Sequence, residues 1–424
     1  MIDLASLLRS PLWVLSKKNP FMLSRLTFFY VVLGIVGGLF SAAFWMFLEY
    51  LIHFASVVSG IYTIPFMTVS GLFVGIVIHF LGEPGEISLV IDNIRFRGGK
   101  LDAGQNPSMT LSSLLSISAG GSAGPEAPLV QITGSFGNWF AEKLGLTGEE
   151  YRSMTIAGMA AGFTSLFGSP LGGALFALEI LQHRHVVEYY KALLPAFLSS
   201  TSAFFVFLWM THVGLQPTWQ FPQYVPGDIQ DFLYSILLGA LGAGLGWVFH
   251  GLFLANRWVY SKIPGPIFWK TTIGGLVLGV IAWQIPLTRF FGHDQLNQIV
   301  EGRFTLIFLA ALIFWKTFAI ATTVSSGWRG GVIIPLFFLG ACAGKLLSGF
   351  LPSENESFLM ICLMAAVNSS VTKTPISTTI LLSELTGLYS FTPVLIASLS
   401  GYFLSPKEPF ISTQGKELSS HRIK

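Results

Sequence analysis

Glu126 stands inside the run AGGSAGPEAPLVQITG, residues 119–134, with apolar sequence on both sides. A carboxylate at bilayer depth is expensive and by default functional. A second Gly-rich run, SSGWRGGVIIPLFFLG, occupies residues 325–340. Each run places a proline, Pro128 or Pro335, where the first turn of a new helix should begin, a position where the missing N–H costs nothing. Non-helical backbone at membrane depth is tolerated only where it lines a cavity or is buried in protein. Two such breaks would aim two half-helix N-termini at one place. Free N–H groups and the positive dipole end make that place an anion site, without a metal or cofactor. An ionised Glu126 would compete with the anion for those N–H groups; a protonated one would leave and open the path. The plainer alternative is a glutamate that only caps a helix, worth roughly 1 kcal/mol, but a cap needs no Gly-rich loop.

The elements that must position these breaks are membrane helices. The chain is 52% hydrophobic and 11% charged, with a mean hydropathy of +0.66, against about 25% charged in soluble domains. Residues 26–47, 65–82, 153–181, 191–211, 232–256, 304–324, 357–384 and 391–404 are apolar stretches that suit a hydrocarbon core of roughly 30 Å. Some run short, which predicts tilted or partly crossing helices. The 45 glycines suit close helix packing in lipid. A net charge of +3 gives no reason to expect nucleic acid. Cys342 and Cys362 both lie in apolar segments and read as small core residues. Arg9, Lys17, Lys18 and Arg25 precede the first long apolar run, which reads as a retained membrane helix and not a signal peptide.

An internal repeat organises the chain. LGIVG at Leu33–Gly37 recurs as LGALG at Leu238–Gly242, and SPLGGALFALE at Ser169–Glu179 recurs as TPISTTILLSE at Thr374–Glu384, both at an offset of 205. GLFVG at Gly71–Gly75 recurs as GLVLG at Gly275–Gly279, at 204. Charges give the orientation, since Lys and Arg favour cytoplasmic loops. The segment before the first half is basic, whereas its counterpart at 212–231 holds no Lys or Arg. The loop at 54–64 has none either, while Arg257, Lys262 and Lys270 surround its counterpart. Equivalent places thus fall on opposite faces, which is an inverted-topology repeat with its site near the midplane. The expected organisation is a cytoplasmic segment 1–25, a first repeat 26–211, a linker 212–231, a second repeat 232–404, and a last pore-facing segment with a cytoplasmic tail at 405–424.

These residues resemble the CLC family of chloride channels and chloride/proton antiporters. Its Gly-basic-Glu-Gly-Pro motif matches Gly124-Pro125-Glu126-Ala127-Pro128, and its Gly-x-Phe-x-Pro motif matches Gly331-Val332-Ile333-Ile334-Pro335. The similarity spans about 26–410. It implies an all-α polytopic membrane protein of two inverted halves, with Glu126 as gate and proton carrier. It also implies an anion site at Gly124, Gly331 and the backbone N–H groups of Val332 and Ile333. Homodimers with one pathway per subunit, in the cell membrane and with both termini cytoplasmic, are expected as well. The short tail suits the prokaryotic type without cytoplasmic regulatory domains.

The departures bear on mechanism. Pro125 stands where the family has a basic residue; Arg329 in the other break is a candidate for the missing pathway charge, or else a surface arginine at a mouth. Family exchangers place an internal proton acceptor beside the equivalent of Glu179, where this chain has Ile180. Glu179, Ile180 and His183 are therefore the candidate internal proton route, with a water file as substitute for the missing carboxylate. The family's anion-contacting Ser has no hydroxyl counterpart in Gly82-Glu83-Pro84-Gly85-Glu86, and its pore Tyr is replaced by Phe410 or Ile411. Gly120-Gly121-Ser122-Ala123-Gly124 fits a hydrolase pattern, but lacks the strand-turn-helix context and partners that an enzyme would need. Three readings follow. Exchange of chloride for protons is preferred because the gating glutamate is present. A passive anion channel is favoured by Ile180, and transport of another anion such as fluoride by the odd 82–86 segment.

Overall fold

The computed structural model describes residues 25–85, 87–96, 98–181, 186–214, 216–222, 224, 229–351, 355–387, 391–411 and 414. Among them are sixteen α-helices and no strand. The first eight are α1 (Arg25–Ser56), α2 (Thr63–Leu81), α3 (Ile87–Phe96), α4 (Asn106–Ala119), α5 (Glu126–Lys143), α6 (Gly148–Phe167), α7 (Pro170–Glu179) and α8 (Val186–Thr211). The second eight are α9 (Ile229–Ser261), α10 (Ile267–Gln284), α11 (His293–Glu301), α12 (Leu306–Ser325), α13 (Ile333–Ser348), α14 (Glu356–Thr372), α15 (Pro375–Thr386) and α16 (Phe391–Phe403). Six of the described helices are long and apolar enough to cross a membrane.

Packing repeats between the two sets. Helix α6 lies between α5 and α8 as α14 lies between α13 and α16, and α1 rests on α8 as α9 rests on α16. Small residues make this possible. Gly34, Gly37, Gly38, Ser41 and Ala42 are buried along one stripe of α1, spaced as one helix face requires. A Cβ on Gly34 would fall 2.2 Å from the Ser199 carbonyl of α8.

Equivalent helices also meet each other, and they do so antiparallel. A Cβ on Gly71 of α2 would lie 2.3 Å from the Thr271 carbonyl, and one on Gly275 of α10 would lie 2.2 Å from the Met67 carbonyl. Further along, Gly75 faces Phe268 and Gly279 faces Ile64. In α7 and α15, Gly172 faces Leu381 and Glu179 reaches Ile376. Helices of like position running oppositely against each other are what the inverted repeat requires. Without a hydrophobic drive in lipid, such close backbone approach contributes to holding the halves together. Gly275→Ala should therefore destabilise by about 1–3 kcal/mol through forced separation of α2 and α10. Gly244→Ala, where no atom lies within 4 Å, should not. Thermal unfolding of the detergent-purified variants compares them, and equal midpoints would refute the crossing as a stability determinant.

Two expected stretches are divided. Residues 153–181 hold α6 and α7, separated at Gly168 with φ +64°. Residues 357–384 hold α14 and α15, separated at Lys373 with φ +63°. Pro170 and Pro375 start the second helices, and their rings cannot continue the preceding turn. Cys342 and Cys362 are buried free thiols. Residues 1–24 and most of 412–424 lie outside the described residues, as does His183.

Candidate functional site

Both Gly-rich runs are breaks between helices, as their composition requires. Helix α4 ends at Ala119 and α5 starts at Glu126; α12 ends at Ser325 and α13 starts at Ile333. Gly120 and Gly327, at φ +115° and +93°, turn the chain through a region that side chains disfavour. Pro128 and Pro335 occupy the first turns of α5 and α13. The breaks then bond to each other. Gly124 N–H donates to the Gly331 carbonyl at 2.8 Å, and Gly331 N–H donates to the Gly124 carbonyl at 2.6 Å. Trp328 is buried and anchors the second break by donating its indole N–H to the Thr271 carbonyl of α10, at 2.8 Å.

Glu126 is wholly buried where the breaks join. Its Oε1 accepts the Ile334 N–H at 2.7 Å, so a carboxylate from the first break sits on the helix N-terminus of the second. Its Oε2 has no hydrogen-bond partner among the described residues. A Cβ on either Gly124 or Gly331 would fall 2.3 Å from that oxygen, so a side chain at either position would displace the carboxylate. The structure thus brings together Gly124, Glu126, Gly331, Val332 and Ile333. The donor seen on the carboxylate is one residue beyond the Val332–Ile333 pair expected for an anion. Val332 and Ile333 stand at the start of α13, where N–H groups lack intrahelical acceptors by position. Phe410 lies against Phe253 and Phe249, with ring centroids 4.7 and 5.3 Å apart, on the apolar cluster that includes Val332. Ile411 is buried in the main core. Neither supplies a hydroxyl.

Arg329 is buried, so the reading of a surface arginine does not hold. Its backbone N–H donates to Ser116 Oγ at 3.1 Å, and its guanidinium pairs with Glu83 Oε1 at 3.2 Å. Glu83 is largely exposed in the turn after α2. The unusual 82–85 turn is thereby tied to the second break. Glu179 serves as a cap: its carboxylate accepts from Ile376 N–H at 3.0 Å, Ser377 N–H at 2.7 Å and Ser377 Oγ at 2.6 Å. A carboxylate at the N-terminus of α15 is the favourable pole of its dipole. Ile180 is buried beside it.

Three residues at these places were not singled out from sequence. Lys316 is fully buried in α12 and donates to the Thr288 and Phe290 carbonyls at 3.2 and 2.7 Å. Arg289 is buried and donates to the carbonyls of Ala55, Val58 and Ala119. Gln414 donates to the carbonyls of Ile180 and Thr372. Lys316 had a legible signal, a lone cation in an apolar run; Gln414 had none.

A family model described as voltage gated chloride channel matches residues 71–406. The chain belongs to the CLC family. This CLC chain is 30% identical over 383 residues to an uncharacterized protein of Methanocaldococcus jannaschii, covering 89% of this chain and 92% of the relative. A CLC-type fluoride/proton antiporter superposes with a TM-score of 0.82 at 23% identity, over 92% of this chain and 97% of that one. A slow cyanobacterial Cl⁻/H⁺ antiporter superposes at 0.81 with 18% identity, over the same shares. Family and fold together make the protein a multi-pass membrane protein of anion transport.

Proposed function

We propose that this CLC chain exchanges a small halide, chloride in the first instance, for protons, with Glu126 as both gate and proton carrier. The observation that carries the reading is the Glu126 carboxylate seated on the Ile334 N–H at 2.7 Å, with its second oxygen unpartnered. A helix N-terminus attracts either a carboxylate or a halide, and the two exclude each other. Protonation removes the carboxylate's claim on the N–H groups, so anion arrival and proton uptake become linked at one atom. Gly124, Gly331, Val332 and Ile333 form the anion site in this reading, with Phe410 and Ile411 at its inner side. Arg329 contributes pathway charge, and Glu179 and Ile180 flank the inner proton route. Two inverted repeats at 26–211 and 232–404 around a linker at 212–231, cytoplasmic termini and a homodimer with one pathway per subunit complete the proposal. The fluoride/proton antiporter among its structural neighbours makes fluoride the second anion to test.

A channel without proton coupling is the second reading, favoured by the buried, apolar Ile180. Proteoliposomes with voltage clamped by ionophores separate the two. Under the exchange reading, an anion gradient drives proton uptake against the proton gradient. Anion flux without proton movement would make the protein a channel. Failure to move any halide would overturn the anion site at the two breaks.

A further inference from the structure

The inner route lacks a carboxylate at position 180, and the residue that meets Ile180 comes from the far end of the chain. Gln414 is buried, 8% exposed. Its Nε2 donates to the carbonyl of Ile180, at the end of α7, at 2.9 Å, and to that of Thr372, the last residue of α14, also at 2.9 Å. Its backbone is held by Ile411 O at 2.9 Å and by Arg95 Nη1 at 3.0 Å. Both amide hydrogens are thus spent on helix-end carbonyls, and Oε1 is left buried with no partner among the described residues. A second unpartnered amide oxygen, Asn368 Oδ1, lies one turn before Thr372 on α14. Three buried hydroxyls join this end of α14 to the start of α15: Thr372 Oγ1 donates to the Asn368 carbonyl at 2.8 Å and lies 2.6 Å from Thr374 Oγ1, Thr374 Oγ1 and Thr378 Oγ1 are 3.3 Å apart, and Asn368 Nδ2 donates to Thr378 Oγ1 at 2.8 Å.

We infer that Gln414 holds, through Oε1, the water by which protons pass Ile180, replacing an ionisable group with a neutral acceptor. This rests on the exchange reading above. A buried carbonyl oxygen left without a donor is destabilising, and the described residues offer this one none. A water that donates one hydrogen to Oε1 keeps its other hydrogen and its lone pairs for a neighbouring water or threonine hydroxyl, so a proton can enter on one side and leave on the other. Gln414 is then a positioning residue whose own charge never changes.

Two substitutions divide the amide's two functions. Gln414→Lys keeps donors for the Ile180 and Thr372 carbonyls and removes the acceptor; Gln414→Glu keeps acceptors and removes the donors. Proton and anion fluxes are read together in proteoliposomes beside the unaltered protein. Loss of the acceptor's hydrogen bond should lower proton flux about tenfold in Gln414→Lys while anion flux persists. Gln414→Glu should stay coupled. Asn368→Leu, which leaves the Gln414 contacts intact, should also weaken coupling. A purely structural latch reverses the order, harming Gln414→Glu more than Gln414→Lys, and that result overturns the inference. So does an unchanged proton-to-anion ratio in both Gln414→Lys and Asn368→Leu, with the exchange reading left standing. Absence of proton movement in the unaltered protein overturns both.

Discussion

In Glu126→Gln, proton movement should fall to background while anion flux continues and loses its dependence on pH. The glutamine is nearly isosteric, so the packing against Gly124 and Gly331 survives. What changes is the contact at the start of α13. In the unaltered protein the Ile334 N–H donates to the Glu126 carboxylate at 2.7 Å, and such a bond to an ionised group is worth about 1.5–3 kcal/mol net. A neutral amide forms a weaker bond there, and it carries no proton between the two sides. The helix N-terminus becomes available to the anion at every pH. Anion affinity should therefore rise roughly tenfold or more, on the same energetic scale. Isothermal titration with chloride and with fluoride measures the affinity; paired flux recordings measure the uncoupling. Persistent proton uptake would remove Glu126 from the proton route. Loss of anion binding would mean the carboxylate is structural, a cap and nothing more.

Arg289→Met should cost about 4 kcal/mol of stability, because it strands several buried carbonyls at once. The guanidinium donates to Val58 O at 2.8 Å, to Ala55 O at 3.0 Å, and twice to Ala119 O at 3.2 and 3.3 Å. It thereby closes the C-terminal ends of α1 and α4, where unpaired carbonyls and the negative dipole end favour a cation. The neighbouring Phe290 N–H donates to the Gly120 carbonyl at 3.1 Å, so the same segment braces the first break just before Glu126. Lys316 holds that segment from the other side through Thr288 and Phe290. Arg289→Lys should recover only part of the loss, since a compact ammonium cannot span three carbonyls on two helices as the planar fork does. Thermal unfolding followed by size-exclusion chromatography gives the ranking. Equal stability of Arg289→Met and the unaltered protein would show that water satisfies these carbonyls.

Part of this architecture is legible in the sequence because it depends on neighbours along the chain. Apolar runs, glycines at helical spacing and a proline opening a helix are local, and they disclosed most membrane helices and both breaks. The constant offset between like segments disclosed the repeat. Charge asymmetry disclosed its inversion, and α2 and α10 bear that out by meeting antiparallel. The breaks at Gly168 and Lys373 were less legible. Lys373 adopts φ +63° without being glycine, so nothing in its residue type announces a turn.

Side-chain pairings between remote segments left no sequence signal. Arg329 and Glu83 are 246 residues apart, Gln414 and Ile180 are 234 apart, and Glu179 reaches Ile376 across 197. Each is one donor meeting one acceptor, with no period to detect. Sequence by itself determined that the chain is a two-fold inverted membrane protein with a glutamate between two helix N-termini. Only the tertiary structure decided which N–H that glutamate takes, that Glu179 caps a helix, and that Gln414 closes on Ile180. Those choices depend on where folded backbones leave N–H and C=O groups unsatisfied, and such groups exist only once the helices have ended and packed.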